Sequence, residues 1–288
     1  MIQDISPHIL KNEYQNKTAP SPKDLIMLFH QDKILANSTT LTIQYPNFET
    51  LVSGCISSQY TYRYLFKVDK QDFYLAIPKQ QEELSPQQFK ELPGYSYITT
   101  QTFRTAEPME MAYAGVTAYH LYQWYRDNQY CGRCGEKLEH SHIERMMSCP
   151  KCKNMIYPRI SPSVIVGVTN KDKILITRYA AGRNYRKYAL VAGFTEIGET
   201  AEQTVAREVM EETGIRVKNI RYYKSQPWGF SGGLLLGYWA ELDGDDTIHL
   251  DESELCEGKW VTRDELELDS SLISLTREMM KCFKEGKE

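Results

Sequence analysis

Between Gly193 and Ile215 the chain reads GFTEIGETAEQTVAREVMEETGI, with Glu208, Glu211 and Glu212 at i, i+3 and i+4. On a helix these carboxylates share one sector, where each like-charged pair costs about 0.2–0.5 kcal/mol. Such a group calls for something positive among it, and an all-oxygen donor set suits a hard divalent cation. A second group is built from sulfur: Cys131-x₂-Cys134, a gap of fourteen residues, then Cys149-x₂-Cys152. Two Cys-x-x-Cys turns can close one tetrahedral Zn²⁺ site with no position left for water, which makes the metal structural. A redox dithiol needs only one of the pairs, and iron–sulfur sites usually follow other spacings. His140 and His142 lie in the gap, but four cysteines already satisfy the ion.

Regular elements must hold these groups. Thr200 and Gln203 form a capping box, so a helix is expected from Ala201 to the neighbourhood of Gly214, a natural C-terminal glycine. At about 100° per residue, Val205, Ala206, Val209 and Met210 make the predicted packing face beside the acidic sector. Arg207 lies four residues before Glu211 and within reach of Glu199, so it is expected to tie the preceding loop to the helix while the three glutamates remain available for cations. Gly193 and Gly198 bracket that loop and let it turn sharply.

Upstream, SPSVIVGVTNKDKILITRY predicts a hairpin of Val164–Val168 and Ile174–Thr177 around Asn170, Lys171 and Asp172. Downstream, IRYYKSQPW and GLLLGYWAEL have strand composition. The C-terminal stretch aligns Leu272, Leu275, Met279 and Phe283 on one helical face, with Asp269, Ser270 or Ser271 as cap, Gly286 beyond the end and Cys282 packing nearby. Ahead of the cysteines, the stretch from Pro108 predicts a helix packed through Met111, Ala114, Ala118, Leu121 and Tyr125, with His120 packed or hydrogen-bonded. Residues 1–107 read as a small α+β domain without a chemical motif. They hold a hairpin over Tyr62–Ile77 turning at Asp69, Lys70, Gln71 and Asp72, a short helix or strand in Ser21–Phe29, and a short helix over Ser85–Leu92 capped by Ser85 with Pro86 first.

Composition bounds the whole. The chain has 288 residues, 41% hydrophobic and 25% charged, which allows more than one packed core and argues against disorder. A net charge of −4 argues against binding nucleic acid through bulk positive charge, although a local basic patch remains open. The N-terminus lacks a signal-peptide pattern and no apolar run approaches about 18 residues, so a cytoplasmic protein with no membrane contact is expected. Seven cysteines, an odd number, fit thiols and metal ligation in such a compartment.

The order Gly193-x₅-Glu199-x₇-Arg207-Glu208-Val209-x-Glu211-Glu212-x-Gly214-Ile215 is the signature G-x₅-E-x₇-R-E-U-x-E-E-x-G-U, with U aliphatic, and so resembles the Nudix hydrolase superfamily. The wider layout resembles the NADH pyrophosphatases: an N-terminal domain, a four-cysteine zinc ribbon and a Nudix domain. The resemblance implies an α/β fold. An α/β/α sandwich over 158–288 would follow an α+β domain over 1–107, a connecting helix over 108–130 and a zinc ribbon over 131–157. It also implies Mg²⁺- or Mn²⁺-dependent hydrolysis of NAD(H) to nicotinamide mononucleotide and AMP, action on NAD-capped RNA 5′ ends, one structural Zn²⁺ and a homodimer.

That family carries S-Q-P-W-P-F-P-x-S after the Nudix box, where this chain reads SQPWGFSGG from Ser225 to Gly233. Gly229 and Ser231 replace two prolines, and Gly233 replaces the last serine. By resemblance, Ala192 gives a backbone carbonyl to metal, and Glu208, Glu211, Glu212 and Glu254 give carboxylates, with Glu208, Glu211 and Glu212 catalytic. Gly193, Glu199, Arg207 and Gly214 shape the box. Tyr157 and Phe194 flank a base, and Gln226, Pro227, Trp228, Gly229, Phe230, Ser231, Gly232, Gly233 and Ser274 contact substrate. The altered loop leaves two alternatives: a preference for ADP-ribose, FAD or a dinucleoside polyphosphate, and a zinc-ribbon nucleic-acid binder or ligand sensor whose Nudix domain is idle.

Overall fold

The computed structural model describes residues 1–38, 42–79, 92–180, 187–268 and 273–288. They divide into two compact units, one of Ile2–Arg159 with Gly229–Ser231 and one of Ile160–Trp228 and Gly232–Glu288 with Met1. Among the described residues, no helix is long and apolar enough to cross a membrane.

The first unit opens with β1 (Leu10–Lys11), β2 (Leu25–Met27), β3 (Phe29–His30), β4 (Lys33–Ser38), β5 (Ile43–Gln44) and helix α1 (Phe48–Ser53). It continues through β6 (Tyr60–Val68), β7 (Gln71–Pro78), β8 (Ser96–Thr99) and helix α2 (Met109–Asp127) to the short strands β9 (Glu139–His140), β10 (Met147–Ser148) and β11 (Met155–Ile156). Leu25–Met27 and Phe29–His30 are therefore strands, interrupted at Leu28. β6 and β7 form the expected hairpin, but Gln71 and Asp72 already belong to β7, and the reversal falls on Asp69, with φ +53°, and Lys70. The helix predicted at Ser85–Leu92 lies, apart from Leu92, outside the described residues.

α2 differs from a one-sided helix. Ala112 to Val116, Ala118, Tyr119, Leu121, Tyr122, Trp124 and Tyr125 are all buried, so the helix is enclosed on most of its circumference. Its five predicted contacts describe too narrow a stripe, because the tyrosines and Trp124 bury large apolar rings on the other faces. His120 Nε2–H donates to the Arg159 carbonyl at 2.8 Å, as a packed residue should.

The second unit contains β12 (Ser161–Asn170), β13 (Lys173–Tyr179), β14 (Val191–Phe194), α3 (Ala201–Thr213), β15 (Val217–Trp228), β16 (Gly233–Leu242), β17 (Leu255–Thr262) and α4 (Leu275–Lys284). Its sheet runs β15-β16-β12-β13-β17, with β14 also paired to β12. β12 and β13 meet only at Thr169–Ile174 and Asn170–Lys173, because β14 pairs with Ser163–Val166 of β12, while the other edge of β12 pairs in parallel with β16. Alternation then sorts the apolar run. Val164, Val166 and Val168 pack with Val205 and Val209 of α3, whereas Ile165, Ile174 and Ile176 pack with Leu275, Met279 and Phe283 of α4. A strand buried on both faces reads as continuous hydrophobicity, as this one does. The result is an α/β/α sandwich.

The capping box is present in full: Gln203 N–H donates to Thr200 Oγ1 at 3.2 Å and Thr200 N–H to Gln203 Oε1 at 2.8 Å. Gly214 ends α3 with φ +69°. At the other end of the chain, α4 is capped by Ser274, which accepts from the Arg277 N–H. This is later than the expected cap; Asp269, Ser270, Ser271 and Leu272 lie outside the described residues. Thr200→Ala is expected to cost about 1 kcal/mol of stability, read as a lower urea midpoint at unchanged slope.

Candidate active site

β14 runs antiparallel to β12, with Ala192 opposite Ile165 and Gly193 opposite Val164. Gly193 thus stands in a strand, where the sequence suggested the edge of a loop. A β-carbon at this position would fall 1.9 Å from the Glu208 carboxyl carbon. The glutamate occupies the volume that any other side chain would need. The turn beyond β14 closes at Gly198, whose φ of +96° favours glycine.

α3 meets the sheet through Val205 and Val209, both fully buried, and through Glu212, only 3% exposed. Ala206 is exposed and Met210 is 40% exposed, against the expectation that both pack. The helix is rotated so that a carboxylate faces inward and a methionine faces water. Hydrophobicity alone would give the opposite choice, because burying a charge costs several kcal/mol.

Arg207 answers the repulsion among the carboxylates. Its Nε and Nη2 donate to Glu199 at 2.6 and 2.9 Å, a bidentate pair, and Nη2 also donates to the Phe194 carbonyl at 2.9 Å. Nη1 donates to Glu208 Oε1 at 2.7 Å and Glu211 Oε2 at 2.9 Å. The loop-to-helix tie is as expected, but Glu208 and Glu211 each lend it one oxygen as well. Glu199 further accepts from the Glu196 N–H and the Thr204 hydroxyl. The Arg207 guanidinium, and then the Glu196 N–H, hold its carboxyl down at about 2. Burial pushes the Glu208 carboxyl above its usual range, opposed by Arg207 and reinforced by Glu211 and Glu254.

Glu254 reaches this group through the segment DESEL, residues 251–255. His249 N–H donates to the Thr213 carbonyl at 2.9 Å and Asp251 N–H to the Glu212 carbonyl at 3.1 Å. The Asp251 side chain then accepts from Ser253 N–H and Oγ, while Glu254 N–H and Leu255 N–H return to the Asp251 carbonyl. The final turn of α3 is thereby bonded to the turn that delivers Glu254. The only sequence signal was the Asp-x-Ser turn pattern in DESEL.

The expected substrate residues behave differently from one another. Gln226 is fully buried; its amide donates to the Ile273 carbonyl at 2.8 Å and accepts from the Leu275 N–H at 2.6 Å. Those bonds brace the start of α4. Ser274 uses its hydroxyl as the α4 cap. Phe194 is 57% exposed, Pro227 is exposed and Trp228 is half-buried opposite Gly233. Gly232 has φ +71°. In the other unit, Tyr157 is 49% exposed and donates to Glu144 Oε1, Ser231 is exposed, and Phe230 lies under the Arg104 guanidinium at 4.4 Å. A β-carbon on Gly229 would lie 2.5 Å from the Val116 carbonyl oxygen. This chain has no room for a proline ring there, which accounts for one departure from the family loop.

The cysteines converge as read. All four sulfurs lie within 4.8 Å of one another, and the Cys131–Cys152 and Cys134–Cys149 pairs are each 3.5 Å apart. That is far beyond a disulfide's ~2.05 Å, and close to the ~3.8 Å edge of a tetrahedron with Zn–S bonds of ~2.3 Å. The turns close at Gly135, φ +74°, and Lys153, φ +60°. His140 packs on Tyr125 and His142 bonds Asn16, so neither joins the cluster.

With this geometry in view, two family models match: the NADH pyrophosphatase zinc ribbon domain over residues 126–157 and the NUDIX domain over residues 159–281. The chain is 45% identical over 148 residues to the NAD-capped RNA hydrolase NudC of Escherichia coli O9:H4 (strain HS), covering 51% of this chain and 57% of that protein. The same figures hold for the protein of that name in Shigella boydii serotype 18 (strain CDC 3083-94 / BS512). The match thus spans little more than half the length of these curated relatives. A solved NUDIX hydrolase from Nitrosomonas europaea aligns with TM-score 0.48 at 24% identity, over 55% of this chain and 91% of that one.

Two outcomes follow from the site. The Glu199 carboxyl is lowered in the folded state, so its stabilisation is complete above its ordinary value of 4.5 and is lost as pH falls towards about 2. Glu199→Gln should therefore be less stable than the parent at neutral pH and should show a shallower loss of Tm between those limits. Cys149→Ser should purify with less than one zinc per chain and a lower Tm, measured by metal analysis and calorimetry.

Proposed function

We propose that this chain, which carries the zinc ribbon domain of the NADH pyrophosphatases followed by a NUDIX domain, hydrolyses the pyrophosphate bond of NAD(H) to nicotinamide mononucleotide and AMP and removes NAD caps from RNA. The observation that carries the reading is the strand glycine whose missing β-carbon makes room for Glu208, beside the inward-facing Glu212. Neither feature serves packing, and both serve a carboxylate site. The name of the relatives, NAD-capped RNA hydrolase, supports the substrate class.

The donor chemistry fits a divalent cation. Glu208, Glu212 and Glu254, with Glu211 beside them and the Ala192 carbonyl on β14, would hold Mg²⁺ or Mn²⁺ in an all-oxygen set. When bound, such ions neutralise diphosphate charge and lower the pKa of a coordinated water. The chain's own residues supply placement. Arg207 fixes the rotamer of Glu208 and anchors the loop after β14 through the Phe194 carbonyl. The exposed ring of Phe194 offers a flat surface for a base, and Trp228 offers another. Hydrolysis by water at phosphorus requires no covalent enzyme intermediate.

The replacement of two prolines and the last serine of the family's loop by Gly229, Ser231 and Gly233 favours a second reading, in which ADP-ribose, FAD or a dinucleoside polyphosphate is the better substrate. A homodimer located in the cytoplasm belongs to the first reading.

Glu212→Gln should abolish turnover, by about 10³-fold or more, while circular dichroism and Tm stay near the parent's. Parental activity in this variant would refute the assignment. Values of kcat/KM with Mg²⁺ or Mn²⁺ across NADH, NAD⁺, ADP-ribose, FAD and diadenosine polyphosphates should rank NAD(H) first; another compound in first place selects the second reading.

A further inference from the structure

None of the carboxylates of the site lies in the zinc ribbon, yet the ribbon's surface is unlike the rest of the chain. Six of the 34 basic residues but only three of the 38 acidic ones lie between Cys131 and Arg159. A Zn²⁺ with four thiolates carries a formal charge of −2, which leaves this segment net positive in a chain whose side chains sum to −4. Five of the six cations, Arg133, Lys137, Lys151, Lys153 and Arg159, are exposed, and none forms an ion pair with a described residue. Elsewhere, cations commonly have carboxylate partners, as in Lys17–Asp72, Lys218–Asp243 and Lys224–Glu278.

Their placement is regular. Arg133 and Lys151 occupy the same position in the two Cys-x-x-Cys turns, and the thiolates across the site stand 3.5 Å apart, so the two cations belong to one end of the ribbon. Lys137 is bridged to Tyr130, which is 49% exposed, and Lys153 holds the Pro150 carbonyl at the second turn. Exposed apolar groups accompany them: Ile143 at 89% and Met155 at 60%. Unpaired cations interleaved with an exposed aromatic ring and apolar side chains are the chemistry that holds a single-stranded polynucleotide, through phosphate contacts and base stacking. A protein partner would more often meet a surface depleted of lysine.

We infer that the two cysteine turns of the zinc ribbon form a contact surface for the RNA strand of a capped substrate, with Arg133, Lys151 and Lys153 on phosphates and Tyr130 against a base. This rests on the capped-RNA reading above and deepens it. The ribbon would then set affinity for the polymer while leaving hydrolysis of the free dinucleotide untouched.

The test compares the parent with the triple variant Arg133→Ala, Lys151→Ala, Lys153→Ala on free NAD(H) and on a 5′-NAD-capped RNA of about 20 nucleotides. For NAD(H), kcat/KM should be unchanged. For capped RNA it should fall about tenfold through KM, and the slope of its logarithm against log salt should become shallower by about two. Equal loss on both substrates, or no loss on either, overturns the inference. Zinc content is measured in parallel: if zinc leaves the variant and RNA affinity tracks the metal, these cations balance thiolate charge and do not bind RNA. The single variants Lys151→Ala and Lys153→Ala, each expected to reduce the slope by about 0.7, decide the matter if the triple variant does not fold. If the parent cleaves no NAD(H) at all, the functional reading fails by itself, and anisotropy with uncapped 5′-monophosphate RNA still tests the surface.

Discussion

One guanidinium organises the carboxylate site. Arg207 reaches Glu199 at the end of the loop, the Phe194 carbonyl at the end of β14, and Glu208 and Glu211 on its own helix. A planar fork of five donors suits this task in a way that a lysine's point charge does not. Without it the acidic helix would repel itself, the loop would have no anchor, and Glu208 would have no reason to keep the rotamer that lies over Gly193. The pairing with Glu211, 58% exposed, contributes little to global stability. Its consequence is local order, bought where charge must be gathered in advance of a cation.

The same site shows what the core gives up to hold such a cluster. Met210 faces water while Glu212 is enclosed, so α3 forfeits apolar burial worth about 1.5–3 kcal/mol for a full methionine. The capping box, Gly214 and the two valines keep the helix in place despite that orientation. Backbone bonds from His249 and Asp251 to the last turn of α3 then fix Glu254 relative to the helix, so the acidic groups are joined by main chain as well as by side chains.

The zinc site is stabilised on different terms. Its strands are two residues long and could not persist alone. Metal ligation supplies the constraint that a core of this size cannot, and it frees the outer residues of the two turns from packing duties. That freedom is why the turns can carry exposed cations.

Much was legible from sequence because it is written in short-range physics. The capping box, the left-handed Gly214, the paired cysteine turns and the uninterrupted apolar β12 each depend on residues within a few positions, and the spacing of Arg207 to Glu211 is fixed by helix geometry. What tertiary structure decided was which way these elements face. Helical periodicity placed Val205, Ala206, Val209 and Met210 together, but only the sheet beneath determined that the valines and Glu212 turn inward. Gly193 could be read as a turn residue until the Glu208 carboxyl was found in the space of its missing side chain. The Gln226 amide is held by the Ile273 carbonyl and the Leu275 N–H where α4 begins, and Gly229 fills a gap set by the Val116 carbonyl. Each of these is a long-range contact between segments far apart in the chain, and local spacing carries no record of what will pack against it.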